Sequence, residues 1–225
     1  MINSTNILLL FGAYLLGSIP SAVWIGKFFY KIDVREYGSG NAGATNTFRV
    51  LGKKAGIPVM LIDVLKGFAA VSLAHFSNYD PTRPYQFNQF INLELVLGIA
   101  SLVGHIFPIF ASFRGGKGIA TLLGIVFGVH PYGAFICMGI FIIVLLVSNY
   151  VSLSSIISAI CFPLLMIFVF KTTVPSLIIF SILIAIMVLI THQKNIERLI
   201  RKEESKAKLL KKKKKVETIQ EVEAE

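Results

Sequence analysis

The chain has 225 residues, 55% of them hydrophobic, and a mean hydropathy of +0.73. This composition is too apolar for an ordinary soluble domain and predicts a polytopic membrane protein. The formal net charge of +10 lies mainly in loops and in the C-terminal tail. Such a charge favours contact with anionic lipid and anionic substrates. Because no basic stripe with interleaved aromatic residues is present, we expect no nucleic-acid binding.

The first apolar run, residues 7–30, predicts a retained transmembrane helix rather than a cleaved signal peptide. Residues 17–22 form a small-residue and proline element inside this run, for which close helix packing is favoured over a bend. Basic residues follow the run and none precedes it. The positive-inside rule therefore predicts that the N-terminus is outside and that the following loop is cytoplasmic.

The second predicted span, residues 55–76, contains Asp63 and Lys66 three residues apart, on one face of a helix. Charges at this depth are expected to pair or to face the bundle interior. A structural pair and a role near a functional site are both open at this point. Residues 77–90 are predicted to form a polar outer loop, and residues 92–113 the third span.

The remaining apolar runs predict four more spans. Residues 119–129 would form a helix of only about 17 Å, shorter than the hydrocarbon core of about 30 Å. Residues 131–170 are long enough to cross twice and are predicted to turn at residues 148–150, and residues 175–191 form the last span. The prediction is an all-α protein with seven transmembrane helices and a cytoplasmic C-terminus, or five if the short run is re-entrant with its neighbour. Residues 1–204 are the predicted membrane domain, and residues 205–225 a charged, disordered tail.

Three polar segments interrupt the apolar runs: residues 37–54, 104–121 and 192–204. All three are predicted on the cytoplasmic side. In the first segment, Gly38, Gly40 and Gly43 allow successive backbone N–H groups to turn toward one anion. Short polar side chains surround these glycines, and Arg49 adds a planar fork suited to phosphate. The segment predicts a phosphate-binding loop.

Two nucleotide-binding patterns in these segments are incomplete. Residues 38–43 satisfy G-x-G-x-x-G, but a membrane helix precedes them where the dinucleotide fingerprint requires a strand. Residues 115–118 resemble half a P-loop, yet Ala111 replaces its first glycine and Gly118 replaces its Ser or Thr. We expect neither a nicotinamide enzyme nor a nucleotide triphosphatase.

Two histidines lie in the polar segments, and a third lies by the predicted outer loop. His192 and Asn195 are three residues apart at a helix end and so face one side. For His105, a role in the site and a role as a hydrogen-bonded interface residue are equally compatible with the sequence. His75 and Asp80 reproduce the His-x-x-x-x-Asp spacing of acyl-CoA-using glycerolipid acyltransferases, but they fall in the predicted outer loop, so coincidence is favoured.

No G-x-S-x-G elbow of a serine hydrolase is present. Cys137 and Cys161 lie in apolar runs, so neither a disulfide nor a cysteine metal site is expected.

The polar segments carry three motifs in order. They read Ser39-Gly40-Asn41-x-Gly43-Ala44-Thr45-Asn46-x-x-Arg49-x-x-Gly52-Lys53-Lys54, then Gly104-His105-x-Phe107-Pro108-x-Phe110-x-x-Phe113-Arg114-Gly115-Gly116-Lys117-Gly118, then His192-x-x-Asn195-Ile196-x-Arg198-Leu199. Together they resemble the bacterial acyl-phosphate:glycerol-3-phosphate acyltransferase family, PlsY. Two positions depart from the family pattern: Arg114 replaces a lysine, and Lys202 replaces a glycine, which leaves Glu204 as the counterpart of the family's glutamate.

The resemblance implies transfer of a fatty acyl group from acyl phosphate to the 1-hydroxyl of sn-glycerol 3-phosphate in the bacterial cytoplasmic membrane. The products would be lysophosphatidic acid and inorganic phosphate. It implies no cofactor and no metal, and it allows contact with the enzyme that produces the acyl phosphate. The implied catalytic residues are Ser39, Arg49, Lys117, His192 and Asn195. The implied substrate-binding residues are Gly40, Asn41, Gly43, Thr45, Asn46, His105, Gly115, Gly116, Gly118, Arg198 and Glu204.

Two questions remain open in the sequence. Either His192 or a substrate phosphate could take the proton of the attacking hydroxyl. The alternative from another functional class is a membrane transporter or channel for an organic phosphate or phospholipid precursor, which would use the same glycine-rich loops as a permeation site. Inverted repeats would favour the transporter, and the sequence shows none.

Overall fold

The computed structural model describes residues 3–207, and every regular element in that range is helical. This confirms the all-α prediction. The helices are α1 Ser4–Gly17, α2 Ser21–Tyr30, α3 Ala44–Leu51, α4 Lys53–Ser72, α5 Pro84–Ile106, α6 Ile119–Val129, α7 Pro131–Ser148, α8 Val151–Leu164, α9 Pro175–Thr191 and α10 Gln193–Ile200.

The membrane-spanning character follows from helix length and hydropathy. Within residues 3–207, four helical segments are long and apolar enough to cross a bilayer: Lys53–Phe76, Pro84–Ala111, Pro131–Ser148 and Val151–Val169. Two bent pairs, α1 with α2 and α9 with α10, raise the number to six if each pair is one span. Helix α6, with 11 residues, is apolar but shorter than these spans.

The element at residues 17–22 both bends the first span and brings two helices together. Helices α1 and α2 differ in direction by 42° across it, because Pro20 has no N–H group to continue the helical ladder. The same element packs closely on α5, because a side chain at Gly17 would strike the backbone oxygen of Ser101. The sequence prediction favoured packing over a bend, and the structure has both.

Several predicted boundaries shift because proline begins and ends helices. Helix α5 starts at Pro84, inside the predicted outer loop of residues 77–90, and it ends at Ile106, before Phe107 and Pro108. The predicted third span at residues 92–113 was therefore placed too late. Other predictions are confirmed as helices, including residues 119–129 and 175–191.

The predicted turn at residues 148–150 is also confirmed, with Asn149 in the left-handed conformation between α7 and α8. The start of the predicted tail packs against this turn. The Ala207 N–H donates to the Asn149 carbonyl at 2.7 Å, and the Lys206 ammonium lies 5.7 Å from the centre of the Tyr150 ring. The rest of that predicted tail, residues 208–225, lies outside the described residues.

The order of the helices places the three polar segments at one end of the bundle. Helix α4 has 20 residues and is about 30 Å long, so His75 lies far from the 37–54 segment that precedes the helix. Helix α5 returns to the first end and delivers the 104–121 segment there. Contacts of Lys117 with Asn195, and of Ala42 with Gly115, join all three segments at this end.

Candidate active site at one end of the bundle

The first polar segment is closed by the side chain of Asn46. Gly38 and Gly40 have φ values of +63° and +72°, which glycine adopts without strain. The Asn46 carbonyl group accepts from the Ser39 N–H at 2.8 Å, and its amide group donates to the Val34 and Tyr37 carbonyls at 2.8 and 3.1 Å. Asn46 is therefore fully engaged in holding the loop. The same contact alters the predicted phosphate-binding loop, because the Ser39 N–H already donates to Asn46.

Two helix N-termini offer the N–H groups that this loop does not. Helix α3 begins after Gly43, and helix α6 begins after Gly118; neither has a side-chain cap. The first N–H groups of a helix have no intrahelical partner, and the helix dipole adds partial positive charge. Both ends are therefore suited to bind phosphate oxygens. Thr45 lies in the first turn of α3 and is exposed, and Asn41 is half-buried just before it.

The second polar segment folds back on the end of α5. The Gly115 N–H donates to the Ile106 carbonyl at 3.1 Å, and the Gly116 N–H donates to the His105 carbonyl at 3.2 Å. A side chain on Gly116 would strike the His105 ring. These contacts fix the path of residues 115–118 and so the position of Lys117.

Arg35, which lies just before the first polar segment, connects that part of the chain to the second polar segment. Arg35 donates through Nη1 to the Ala111 carbonyl at 2.8 Å and lies 3.4 Å from that of Arg114. Its guanidinium also binds Asp33 through two hydrogen bonds at 2.7 and 2.9 Å. These hydrogen bonds hold the pKa of Asp33 well below its usual range. In the sequence, Arg35 is one of the basic residues that follow the first apolar run, and its spacing from Asp33 is the signal that could have identified this pair.

The third segment meets Lys117 through Asn195. The Lys117 ammonium donates to Oδ1 of Asn195, and Nδ2 of Asn195 donates to Oε1 of Glu204 at 2.7 Å. Glu204 also accepts from the Ser152 hydroxyl at 2.8 Å and lies 3.6 Å from Nε of Arg198. The Glu204 side chain is 6% exposed. It anchors the C-terminal segment to α8 and orients Asn195 toward Lys117.

His192 lies at the junction of α9 and α10 and is 4% exposed. Its Nδ1 atom is 2.9 Å from the Val188 carbonyl oxygen. A carbonyl only accepts hydrogen bonds, so this contact places a proton on Nδ1 and leaves Nε2 as the acceptor of the neutral ring.

The electrostatics of the site centre on Lys117. Burial lowers the pKa of Lys117 to about 8, and the positive charges of Arg198 and Arg49 act in the same direction, while Glu204 opposes them. Arg49 itself is exposed, in the last turn of α3. Several cations therefore converge on a region that also contains two helix N-termini, which is an arrangement suited to more than one phosphate group.

The remaining predicted residues take different places. His105 is 5% exposed and points toward Thr121, with 3.1 Å between Nδ1 and the Thr121 hydroxyl. His75 packs on the Phe90 ring, while the Asp80 carboxylate pairs with Arg83 at 3.1 Å, so each member of the His75/Asp80 spacing is engaged elsewhere. Among residues 3–207 no group of three or more His, Cys, Asp or Glu side chains is arranged to hold a metal ion.

The fold and the site define a polytopic membrane protein with a cationic site suited to anions at one end of its helices. The chain belongs to the glycerol-3-phosphate acyltransferase family, whose family model matches residues 7–202. This confirms the resemblance found in the three motifs, and it favours an enzyme over a transporter.

Relatives and solved structures agree over nearly the whole chain. A glycerol-3-phosphate acyltransferase of Staphylococcus carnosus is 43% identical over 202 residues, covering 90% of this chain and 98% of the relative. One of Enterococcus faecalis is also 43% identical, covering 86% of this chain and 88% of the relative. The crystal structure of PlsY, an integral membrane glycerol 3-phosphate acyltransferase, in its glycerol 3-phosphate form is 36% identical with a TM-score of 0.79, covering 90% of this chain and 96% of that one. Its lysophosphatidic acid form gives a TM-score of 0.76.

Proposed function

We propose that the protein transfers a fatty acyl group from acyl phosphate to the 1-hydroxyl of sn-glycerol 3-phosphate. The hydroxyl oxygen forms a bond to the acyl carbon, and the bond from that carbon to the phosphate oxygen breaks. Lysophosphatidic acid and inorganic phosphate are the products, and the hydroxyl proton leaves with an acceptor in the site. No cofactor is needed, because the acyl phosphate is a mixed anhydride whose acyl group is already activated, and the reaction exchanges this anhydride bond for an ester bond.

The observation that carries this proposal is the convergence of Lys117 and Asn195 with two uncapped helix N-termini. Both substrates carry phosphate, and the site offers separate donors for two such groups. The phosphate of an acyl phosphate is a good leaving group, so positioning and stabilisation of negative charge supply most of the required catalysis. A Ser-His-Asp triad is not required.

The catalytic residues in this proposal are Ser39, Arg49, Lys117, His192 and Asn195. Lys117 and Arg49 neutralise phosphate, and Asn195 orients Lys117. The other proposed binding groups are Asn41, Thr45 and the backbone N–H groups that begin α3 and α6, with Arg198 and Glu204 supporting the third segment. The chain offers Nε2 of His192 as one proton acceptor, and bound substrate offers a phosphate oxygen as the other.

The proposed location is the bacterial cytoplasmic membrane, with the site on the inner face. Counting each bent pair as one span and adding the short helix α6 gives seven crossings. The basic residues of the first polar segment support a cytoplasmic site end. The N-terminus is then outside, and the C-terminus is cytoplasmic. This side also gives access to acyl phosphate and to the enzyme that produces it.

A single assay tests the proposed reaction. Purified protein in lipid nanodiscs receives palmitoyl phosphate and glycerol 3-phosphate, and lysophosphatidic acid and free phosphate are measured together. We expect equal amounts of the two products, with the acyl chain at the 1-position, and a large loss with Lys117→Met. Phosphate release without lysophosphatidic acid would contradict acyl transfer.

A further inference from the structure

A buried group of charged and polar side chains lies beneath the active-site loops. Asp63 of α4 is 1% exposed, and its Oδ1 atom lies 2.9 Å from the Lys66 ammonium and accepts from the Ser21 hydroxyl at 2.8 Å. Nδ1 of His105 lies 3.7 Å from the same oxygen. The Lys66 ammonium also donates to the Ile19 carbonyl at 2.8 Å, in the break between α1 and α2.

We propose that Asp63, Lys66 and His105, here called the buried charge cluster, are positioning residues for the loop that carries Lys117. This inference rests on the proposed acyltransferase function; it adds Asp63 and Lys66 to the residues that serve that function and gives His105 a positioning role in place of substrate binding. The cluster does not touch the reacting atoms. It acts through the contacts that hold residues 115–118.

The link from the cluster to the loop runs through His105. The side chain of His105 faces Asp63 and Thr121. Its backbone carbonyl accepts from the Gly116 N–H at 3.2 Å. Side chains on Gly115 and Gly116 would strike His105 itself, so the loop lies directly on this residue. A displaced imidazole would therefore displace the backbone that leads into Lys117.

The cluster also reaches the first polar segment. It lines a small cavity together with Ala42 and Gly115, and these two residues are joined by a hydrogen bond from the Ala42 N–H to the Gly115 carbonyl at 3.4 Å. Oδ2 of Asp63 is buried and has no hydrogen-bond partner among the described residues. The lining of the cavity thus includes charged and polar side chains, although hydrophobic side chains would suit a purely structural helix contact better.

The buried position argues for a role that outweighs its cost. Charged side chains are expensive within a membrane-spanning helix and are kept there where they pair and serve a site. The cluster connects the α1–α2 break, α4, α5 and α6 at the level of the loops. It therefore fixes the positions of these four elements relative to one another next to both phosphate-binding segments.

The test compares the buried pair Asp63 and Lys66 with a matched ion pair on the surface. Asp63→Asn/Lys66→Met removes both buried charges, so no uncompensated charge is left in the interior. Asp80→Asn/Arg83→Met removes the exposed pair with the same three-residue spacing. Each protein is purified in nanodiscs, and kcat, the KM for glycerol 3-phosphate and backbone hydrogen exchange of residues 112–119 are measured.

We expect the buried double variant to lower kcat about 100-fold, as misplacement of a catalytic group by about 1 Å does, and to raise the KM for glycerol 3-phosphate. Exchange at Gly115 and Gly116 should be at least roughly tenfold faster than in the unaltered protein, because their hydrogen bonds open more often. The surface pair should change none of these values. A mere loss of folded protein would lower the apparent kcat and leave KM unchanged.

A buried double variant that folds with unchanged kcat and unchanged exchange overturns the proposal. If that variant does not purify, Thr121→Val decides, because it removes only the hydroxyl partner of His105 with little change in shape. It should show the same changes to a smaller degree, and unchanged values would likewise overturn the proposal. Hydrogen exchange reports on the loop even without turnover, so failure of the acyltransferase proposal and failure of this one are distinguishable.

Discussion

The side-chain carbonyl of Asn195 accepts a hydrogen bond from the ammonium of Lys117, and the two residues are 78 positions apart in the chain. The other end of the Asn195 amide donates to Glu204 at 2.7 Å. Asn195 therefore joins a cation to a buried carboxylate without adding charge. The interaction fixes where the Lys117 ammonium points.

We predict that Asn195→Ala lowers kcat/KM about 10- to 150-fold, since a hydrogen bond to a charged group is worth about 1.5–3 kcal/mol. Asn195→Asp should be worse, because it places a second carboxylate beside Glu204. Steady-state kinetics with palmitoyl phosphate provide the measurement. Equal activity of both variants and the unaltered protein would show that Asn195 does not orient Lys117.

The pKa of Lys117 predicts an alkaline limit. Burial lowers it to about 8, and an ammonium group is charged below its pKa. In the free enzyme, kcat/KM for glycerol 3-phosphate should therefore fall as pH rises through about 8. Lys117→Arg should abolish this fall, since guanidinium stays charged.

Glu204→Gln should shift the alkaline fall of kcat/KM in the same experiment. The Glu204 carboxylate raises the pKa of Lys117, so its removal should move the alkaline fall to lower pH. The pH dependence of kcat/KM is measured for all three proteins. An alkaline fall that Lys117→Arg leaves unchanged would assign the titration to another group.

Arg49 is predicted to need its guanidinium. Arg49→Lys should lower kcat/KM roughly 100-fold while the protein stays folded, because a lysine ammonium does not form the bidentate pair with phosphate. Arg114→Lys is the matched control and should keep normal turnover, since the Arg114 side chain is exposed and makes no described contact with the site. Circular dichroism and kinetics of both variants test this, and a normal Arg49→Lys enzyme would remove Arg49 from the site.

The location of the site end predicts which thiols react from each side. In a background with Cys137 and Cys161 replaced, Lys194→Cys marks the site end, and Asn78→Cys marks the other end; both positions are exposed. An impermeant thiol reagent should label Asn78→Cys in intact cells and Lys194→Cys only after the inner face is opened. The reverse labelling pattern would invert the proposed topology.

The helices were largely predictable because their signals are local. The apolar length of residues 175–191 and the turn at Asn149 are each encoded within a few residues. The residues that organise the site were harder to predict because their partners are distant in sequence. Arg35 reaches Ala111 across 76 positions, and Glu204 reaches Ser152 across 52. Asn46 was expected to bind phosphate, whereas its side chain holds its own loop closed.

The last prediction concerns the acyl donor and separates two histidines. A donor thioester such as acyl-CoA releases a thiolate, and the His75/Asp80 spacing would supply a histidine base for it. Yet His75 packs on Phe90, beyond the far end of α4, about 30 Å of helix away from the phosphate-binding segments. Acyl phosphate instead releases a phosphate that Lys117 and the two helix N-termini are suited to hold.

We therefore predict that acyl-CoA does not replace acyl phosphate, that His75→Ala keeps near-normal activity, and that His192→Ala loses most of it. Purified protein receives palmitoyl phosphate or palmitoyl-CoA with glycerol 3-phosphate, and lysophosphatidic acid is measured for all three proteins. The His75 variant controls for general effects of removing an imidazole. Product from palmitoyl-CoA that disappears with His75→Ala would overturn both the donor and the placement of the site, because the reaction would then occur at the opposite end of the bundle.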